Sequence, residues 1–291
     1  MGQRRIGPYQ LLGLIRAGHA CEIWKIMRIG EESRMAMKLL RRGDKYTREQ
    51  VDFLKHEYTV ASRLQHDGVI RIHDCQSNPE GCYLIMELFA HPNLKQTIQL
   101  GVERLAYLAE TIIRQSAAGL QYLHEQGWVH CDVKPDNFLV GDDGHVKLID
   151  FSLAQRQKGR LSRLISGKAR IQGTKSYMSP EQILGAPVDA RSDIYSFGCV
   201  VYELIGGRVP FTGVSANALL TKHLRAKPPA LEAANKNVTR DFSQLVARMM
   251  AKDPNRRPRS MQVLLDELRG TPLFQQRPLP PAAEGPKPDR R

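Results

Sequence analysis

Asp132, Lys134 and Asn137 fall within the stretch WVHCDVKPDNFLV (128–140), and Asp150 follows in LIDFSLA (148–154). The first carboxylate can receive a proton and the ammonium can neutralise an anion. The amide and the second carboxylate offer hard oxygen atoms of the kind that hold Mg2+. One base, one cation and two metal-binding groups beside a strand pair are the parts needed to move a phosphoryl group, whose charge spreads over its oxygens during transfer. Each residue type alone is nonspecific. The signal lies in the joint spacing, with the glycine turn GDDG (141–144) just ahead of Asp150.

These groups need elements to hold them. Residues 9–40 run as YQLLGLI, EIWKIM and RMAMKLL, short apolar runs with polar breaks that predict a three-stranded antiparallel meander. Residues 48–64 predict a helix with Val51, Leu54, Tyr58, Ala61 and Leu64 on one stripe. Strands are expected near 69–76 and 82–88, and helices near 104–126, 192–206, 214–225, 240–251 and 260–268. A strand-rich first part and a helix-rich second part imply two lobes with a hinge near 87–93. Lys38 lies at the tail of the third strand, and Glu57 lies on the inner face of the helix that follows.

The two catalytic stretches resemble the catalytic loop and metal-binding segment of protein kinases. They depart from that pattern at Cys131, where the family usually has Arg, and at Ser152, where it usually has Gly. GTKSYMSPEQ (173–182) resembles the end of the kinase activation segment, where a peptide docks. SDIYSFG (192–198) resembles the buried helix whose Asp193 braces the catalytic loop, and DPNRRP (253–258) offers Arg257 as partner for Glu181. The resemblance covers 9–268, and its phrasing is most similar to bacterial-type, eukaryotic-like serine/threonine kinases.

This resemblance implies an α+β bilobal fold: an N-lobe over 9–88, a C-lobe over 89–268 and a proline-rich, extended or disordered tail over 271–291. It implies transfer of the γ-phosphoryl of ATP to Ser or Thr hydroxyls of protein substrates. Asp132 would be the base and Lys134 would neutralise the transferred phosphate. Asn137 and Asp150 would hold Mg2+, and Glu57 would aim Lys38 at the nucleotide phosphates. Ile15, Ile23, Ala36 and Leu139 would sandwich adenine, Met86 would guard the back of the pocket, and the backbone of Glu87 and Phe89 would bind the ring. Gly18 would be the middle glycine of the phosphate-covering loop, whose outer glycines are replaced by Arg16 and Cys21. His130 is expected to pack rather than react. Gly13 and Gly18 also fit the outer spacing of a Walker A loop, but His19 stands where that motif needs Lys.

Composition narrows the setting. Hydrophobic residues make up 42% and charged residues 25% of 291 residues, enough for a core and a solvated surface. No apolar run is long enough to span a bilayer, and MGQRRIGPYQ lacks the apolar stretch of a signal peptide. Five cysteines without C-x-x-C spacing argue against zinc and against a disulfide framework, so a cytoplasmic protein is expected. The net charge of +13 favours acidic partners, whether phosphorylated ligands, acidic peptides, nucleic acid or anionic membrane, and the basic stretch between Phe151 and Pro180 would attract acidic protein substrates. No nucleic-acid motif accompanies the charge, so no specific nucleic-acid partner is expected.

In many kinases the Arg before the catalytic Asp binds a phosphate on the activation segment. Cys131 cannot do so. Between Phe151 and Pro180 the chain carries seven Lys and Arg and no acid. Activity without phosphorylation of this segment is therefore expected, with Ser162 and Ser166 as candidate autophosphorylation sites. The alternative reading is a pseudokinase, a nucleotide-binding scaffold, favoured by the altered glycine loop and Cys131.

Overall fold

The computed structural model describes residues 4–18, 21–41, 47–78, 81–157 and 174–280. The N-terminal part is an antiparallel sheet built from β1 (Arg5–Ile6), β2 (Tyr9–Ala17), β3 (Glu22–Arg28), β4 (Arg34–Arg41), β5 (Ile72–Asn78) and β6 (Gly81–Glu87), in the order β1-β2-β3-β4-β6-β5. The expected meander is β2–β4, and the register pairs Lys38 with Ile23 on one side and Leu84 on the other. Alternation gives the sheet its own small core on one face, with Tyr9, Leu11, Ile26, Met37, Leu39 and Tyr83 buried together.

Helix α1 (Arg48–Ala61) covers the other face. Thr47 caps it in a box with Gln50, and Leu54, Glu57, Val60 and Ala61 are buried. The helix stops three residues short of its expected end, and Leu64 is buried in the turn beyond.

The C-terminal part is helical: α2 (Leu94–Gln99), α3 (Ala109–Glu125), α4 (Pro180–Ile183), α5 (Ala190–Gly206), α6 (Ala216–Arg225), α7 (Leu231–Ala234), α8 (Arg240–Met249) and α9 (Met261–Gly270). Helix α2 was not anticipated, and the expected helix over 104–126 begins with two short 3-10 turns before α3. Every residue from Ser192 to Ile205 of α5 is buried, so this helix is the core of the lobe. Short hairpin strands β8 (Phe138–Val140) and β9 (Val146–Leu148), and the pair β7 (Trp128–Val129) with β10 (Gln155–Arg156), lie beside it.

The lobes join closely at Gly68–Ile70. Ile70 N–H donates to the Leu148 carbonyl at 3.0 Å, and Leu148 N–H donates back to Gly68 at 2.9 Å. A Cβ on Gly119 of α3 would sit 2.7 Å from the Gly68 carbonyl, so only glycine permits this approach.

The expected tail starts as an extended segment packed on the lobe. Leu273 is buried, Thr239 N–H donates to the Leu273 carbonyl at 3.1 Å, and Gln275 N–H donates to Asn237 at 2.7 Å. Residues 281–291 lie outside the described residues.

Candidate active site

Lys38 lies in the middle of β4, which runs on to Arg41 rather than ending at Lys38 as expected, and it faces two carboxylates. Its Nζ lies 2.6 Å from Glu57 Oε2 and 3.3 Å from Asp150 Oδ1. Burial alone would lower the Lys38 pKa, but Asp150 and Glu57 outweigh it and hold the ammonium well above its ordinary value. Burial likewise pushes the Asp150 carboxyl up, and Lys38 with the Ser152 hydroxyl reverse this, leaving it below the usual carboxylate range. Ser152 Oγ donates to Asp150 Oδ1 at 2.8 Å. Asp150 adopts φ 64°, a left-handed conformation that a non-glycine residue keeps only when its surroundings fix it.

The catalytic loop bends at Cys131, φ 65°. The bend is held from α5 by Asp193, which is 1% exposed. One carboxylate oxygen accepts the His130 N–H at 2.7 Å and contacts His124 Nε2 at 2.7 Å, while the other accepts the Cys131 N–H at 2.9 Å. Gln182, the last member of the Ser179 capping box of α4, donates to the Cys131 carbonyl at 2.7 Å. His130 is fully buried and packs on Phe151, as expected.

Asp132 emerges from this bend with both oxygens engaged. Lys134 Nζ lies 2.6 Å from Oδ2, and Thr174 offers Oδ1 its N–H at 3.1 Å and its hydroxyl at 3.3 Å. Lys134 also donates to the Thr174 hydroxyl at 3.0 Å. Asn137 Nδ2 donates to the Asp132 main-chain carbonyl at 2.9 Å, which directs the amide oxygen away from that carbonyl.

A cleft of about 360 Å3 between the lobes is lined by Gly18, Ile23, Lys38, Glu57, Met86, Lys134, Asn137 and Asp150 among the residues singled out in the sequence. Arg16 and Cys21, in place of the outer glycines, line it as well. Asp132 borders the adjoining crevice with Cys131, Thr174 and Gln182. The other proposed adenine-site residues do not line this cleft: Ile15 is half exposed on β2, Ala36 is buried on β4, and Leu139 is on β8. Glu87 and Phe89 sit at the hinge. The Glu87 side chain turns back to accept the Arg71 N–H at 2.8 Å and Lys147 Nζ at 3.1 Å. Ile70, Ile149 and Thr174 line the cleft without having been assigned there.

No group of three or more His, Cys, Asp or Glu poised for a metal occurs among the described residues. Asn137 and Asp150 present two oxygen-bearing side chains to one cleft. That set suits Mg2+, which keeps several waters and takes phosphate oxygens for the rest of its shell.

Behind the site, Arg257 forms a two-pronged pair with Glu181, at 2.7 and 3.0 Å, as the sequence suggested. A second buried network was not foreseen. Tyr177 donates to Glu203 at 2.6 Å, and Lys95 pairs with the same carboxylate. Ser162, Ser166, Gly173 and the cations Lys158, Arg160, Arg163, Lys168 and Arg170 lie outside the described residues.

The family model described as the protein kinase domain matches residues 9–268. The chain belongs to the protein kinase family. Serine/threonine-protein kinase PrkC of Bacillus subtilis is 31% identical to this kinase over 254 residues, which is 87% of the chain and 39% of PrkC. PknA of Mycobacterium tuberculosis is 32% identical over 265 residues, covering 87% of the chain and 59% of that protein. PknA of Corynebacterium glutamicum is 31% identical over 261 residues, 88% of the chain and 54% of the relative. The kinase thus spans about two fifths to three fifths of these relatives. Among the described residues no helix is long and apolar enough to cross a membrane.

Proposed function

We propose that this chain is an active serine/threonine protein kinase that uses ATP and Mg2+. The observation that carries the reading is the convergence of Lys38, Glu57, Asp150, Lys134 and Asn137 on one cleft, with Asp132 at its edge. Mg-ATP would supply the phosphoryl group and neutralise its charge. Asn137 and Asp150 would hold the metal, and Lys38, oriented by Glu57, the phosphates. Asp132 accepts the hydroxyl proton of the substrate Ser or Thr, and Lys134 beside it offsets the phosphate charge. Thr174, which occupies Asp132 Oδ1, must yield or share that oxygen when a substrate hydroxyl arrives. The substrates are proteins, and the five free thiols suit a reducing, cytoplasmic setting.

Arg16 and Cys21 favour the second reading, a nucleotide-binding scaffold, because they remove flexible backbone from the loop over the phosphates. Incubation with labelled ATP and Mg2+ decides between them. Wild type should incorporate phosphate into itself or a Ser/Thr peptide, and Asp132→Asn should lose about a hundredfold or more. Nucleotide binding without transfer by either protein would leave the scaffold reading.

A further inference from the structure

Away from the nucleotide cleft, the C-terminal ends of α6 and α8 converge on an open groove of about 820 Å3. Its walls carry Arg225 and Lys227 from one side and Arg248, Lys252 and Arg256 from the other, against the single acid Asp253. Arg248 is paired with Glu267, and Asp253 is occupied in capping the turn at Asn255. Arg225, Lys227 and Arg256 are exposed and have no ion-pair partner among the described residues.

Lys252 sits deeper. Its ammonium lies 4.4 Å from the Phe211 ring centroid and 5.3 Å from that of Tyr195, and it donates to the Tyr195 hydroxyl at 3.1 Å. No carboxylate neutralises it among the described residues. Burial pushes its pKa down to about 8. The two rings, the Tyr195 hydroxyl and the Lys222 carbonyl at 3.5 Å hold the ammonium in place without a counter-charge, which an anion in the groove would supply. The C-terminal ends of both helices favour some of these cations, but a helix end accounts for about half a charge and the groove holds several.

We infer that this groove docks an acidic linear segment of the kinase's protein substrates, with Lys252 as the fixed anchor and Arg225, Lys227 and Arg256 as the rim. The inference rests on the kinase reading for its choice of partner. Size favours a peptide: a lone phosphate would leave most of the space empty, whereas grooves of this volume accommodate several side chains. Rim charges of this kind act mainly on association and on salt dependence.

The test uses a fluorescent Glu-rich dodecapeptide containing one Ser, and a Gln-for-Glu version of it. Fluorescence anisotropy at low salt, without ATP, should show the Glu peptide binding and the Gln peptide not. The triple variant Arg225→Ser, Lys227→Ser, Arg256→Ser should weaken binding about tenfold. A control with Arg5→Ser, Arg34→Ser and Arg63→Ser removes the same charge elsewhere and should weaken it less than twofold. Equal losses in the two triples would reduce the effect to net charge and overturn the groove. Tighter binding of a single-stranded oligonucleotide or an anionic vesicle, displacing the peptide from the groove, would overturn the choice of partner. In turnover assays the groove triple should raise KM for the Glu peptide with kcat unchanged. Groove-dependent binding without any turnover would instead refute the kinase reading and leave the docking surface standing.

Discussion

Ser152 offers the sharpest test of how the proposed metal site is set. Its hydroxyl donates to Asp150 Oδ1 at 2.8 Å, and the Asp150 backbone sits at φ 64°. A hydrogen bond to a charged group contributes about 1.5–3 kcal/mol. The Asp150 side chain is 33% exposed, so solvent screening places the bond near the lower end of that range. Loss of about 1.4 kcal/mol is a tenfold change in an equilibrium. With Lys38 as the remaining partner of that oxygen, the carboxylate gains freedom to turn and the strained backbone to relax. Ser152→Ala should therefore raise the Mg2+ concentration for half-maximal ADP release by up to about tenfold, and Ser152→Thr should stay within twofold of wild type. The assay is ADP release at fixed ATP as Mg2+ is varied, with kcat taken at saturating Mg2+. A hydroxyl donor also draws charge off the carboxylate, so the opposite outcome is physically available. If Ser152→Ala needed the same Mg2+ or less, orientation by Ser152 would not be what sets the site.

Three further outcomes follow from the packing. Arg257 has a side chain with 0% exposure, so Glu181→Ala leaves its guanidinium buried and unpaired; urea unfolding should show a loss of about 3–5 kcal/mol, and a change below about 1 kcal/mol would contradict the pairing. His223 is fully buried, and its pKa is depressed to about 4 by that burial, so the folded state keeps it neutral where the unfolded chain takes up a proton. Stability from this group is intact above about pH 6.5 and declines as pH falls toward 4, by about 3 kcal/mol in all; His223→Gln should flatten that part of the unfolding-midpoint profile, and an unchanged slope would refute the assignment. Leu273, 4% exposed beyond the last helix, should cost about 2–3 kcal/mol when changed to Ala; thermal unfolding at an unchanged midpoint would mean the docked segment contributes nothing.

The sequence made the charged machinery legible because each group is a distinct chemical type at a fixed place on a recognisable element. Lys38 lies within an alternating strand, Glu57 lies on the apolar side of a helix, and Asp132 and Asn137 flank a Pro that starts a short 3-10 turn. The Lys95–Glu203–Tyr177 network was not legible, since its members lie 26 to 108 residues apart and each reads locally as a surface or core residue. Ser152 stood out only as a departure from the family's glycine, and its bond to Asp150 depends on a backbone angle that composition does not reveal. The proline content of the tail hid its docking; the signal was the Leu273-Phe274 pair, two large apolar residues in a polar stretch. Ile15, Ala36 and Leu139 were assigned to a proposed adenine site by the family register alone, which fixes a strand position.

Cys131 separates two jobs that an arginine would combine. The backbone bend at φ 65° costs a non-glycine residue about 1–2 kcal/mol, so something must hold it. That hold comes from main-chain bonds to Asp193 and Gln182, and neither uses the side chain at 131. The thiol itself is buried and pushed well above its ordinary pKa by burial, so it is an un-ionised filler. Downstream, β10 pairs with β7, and the Arg156 guanidinium lies 4.3 Å from the Trp128 ring centroid, which fixes the chain as it leaves Asp150. The order of Asp132 therefore belongs to α5 and the capping box of α4. A cysteine at 131 supplies no cation, and the geometry of the catalytic loop is held without one.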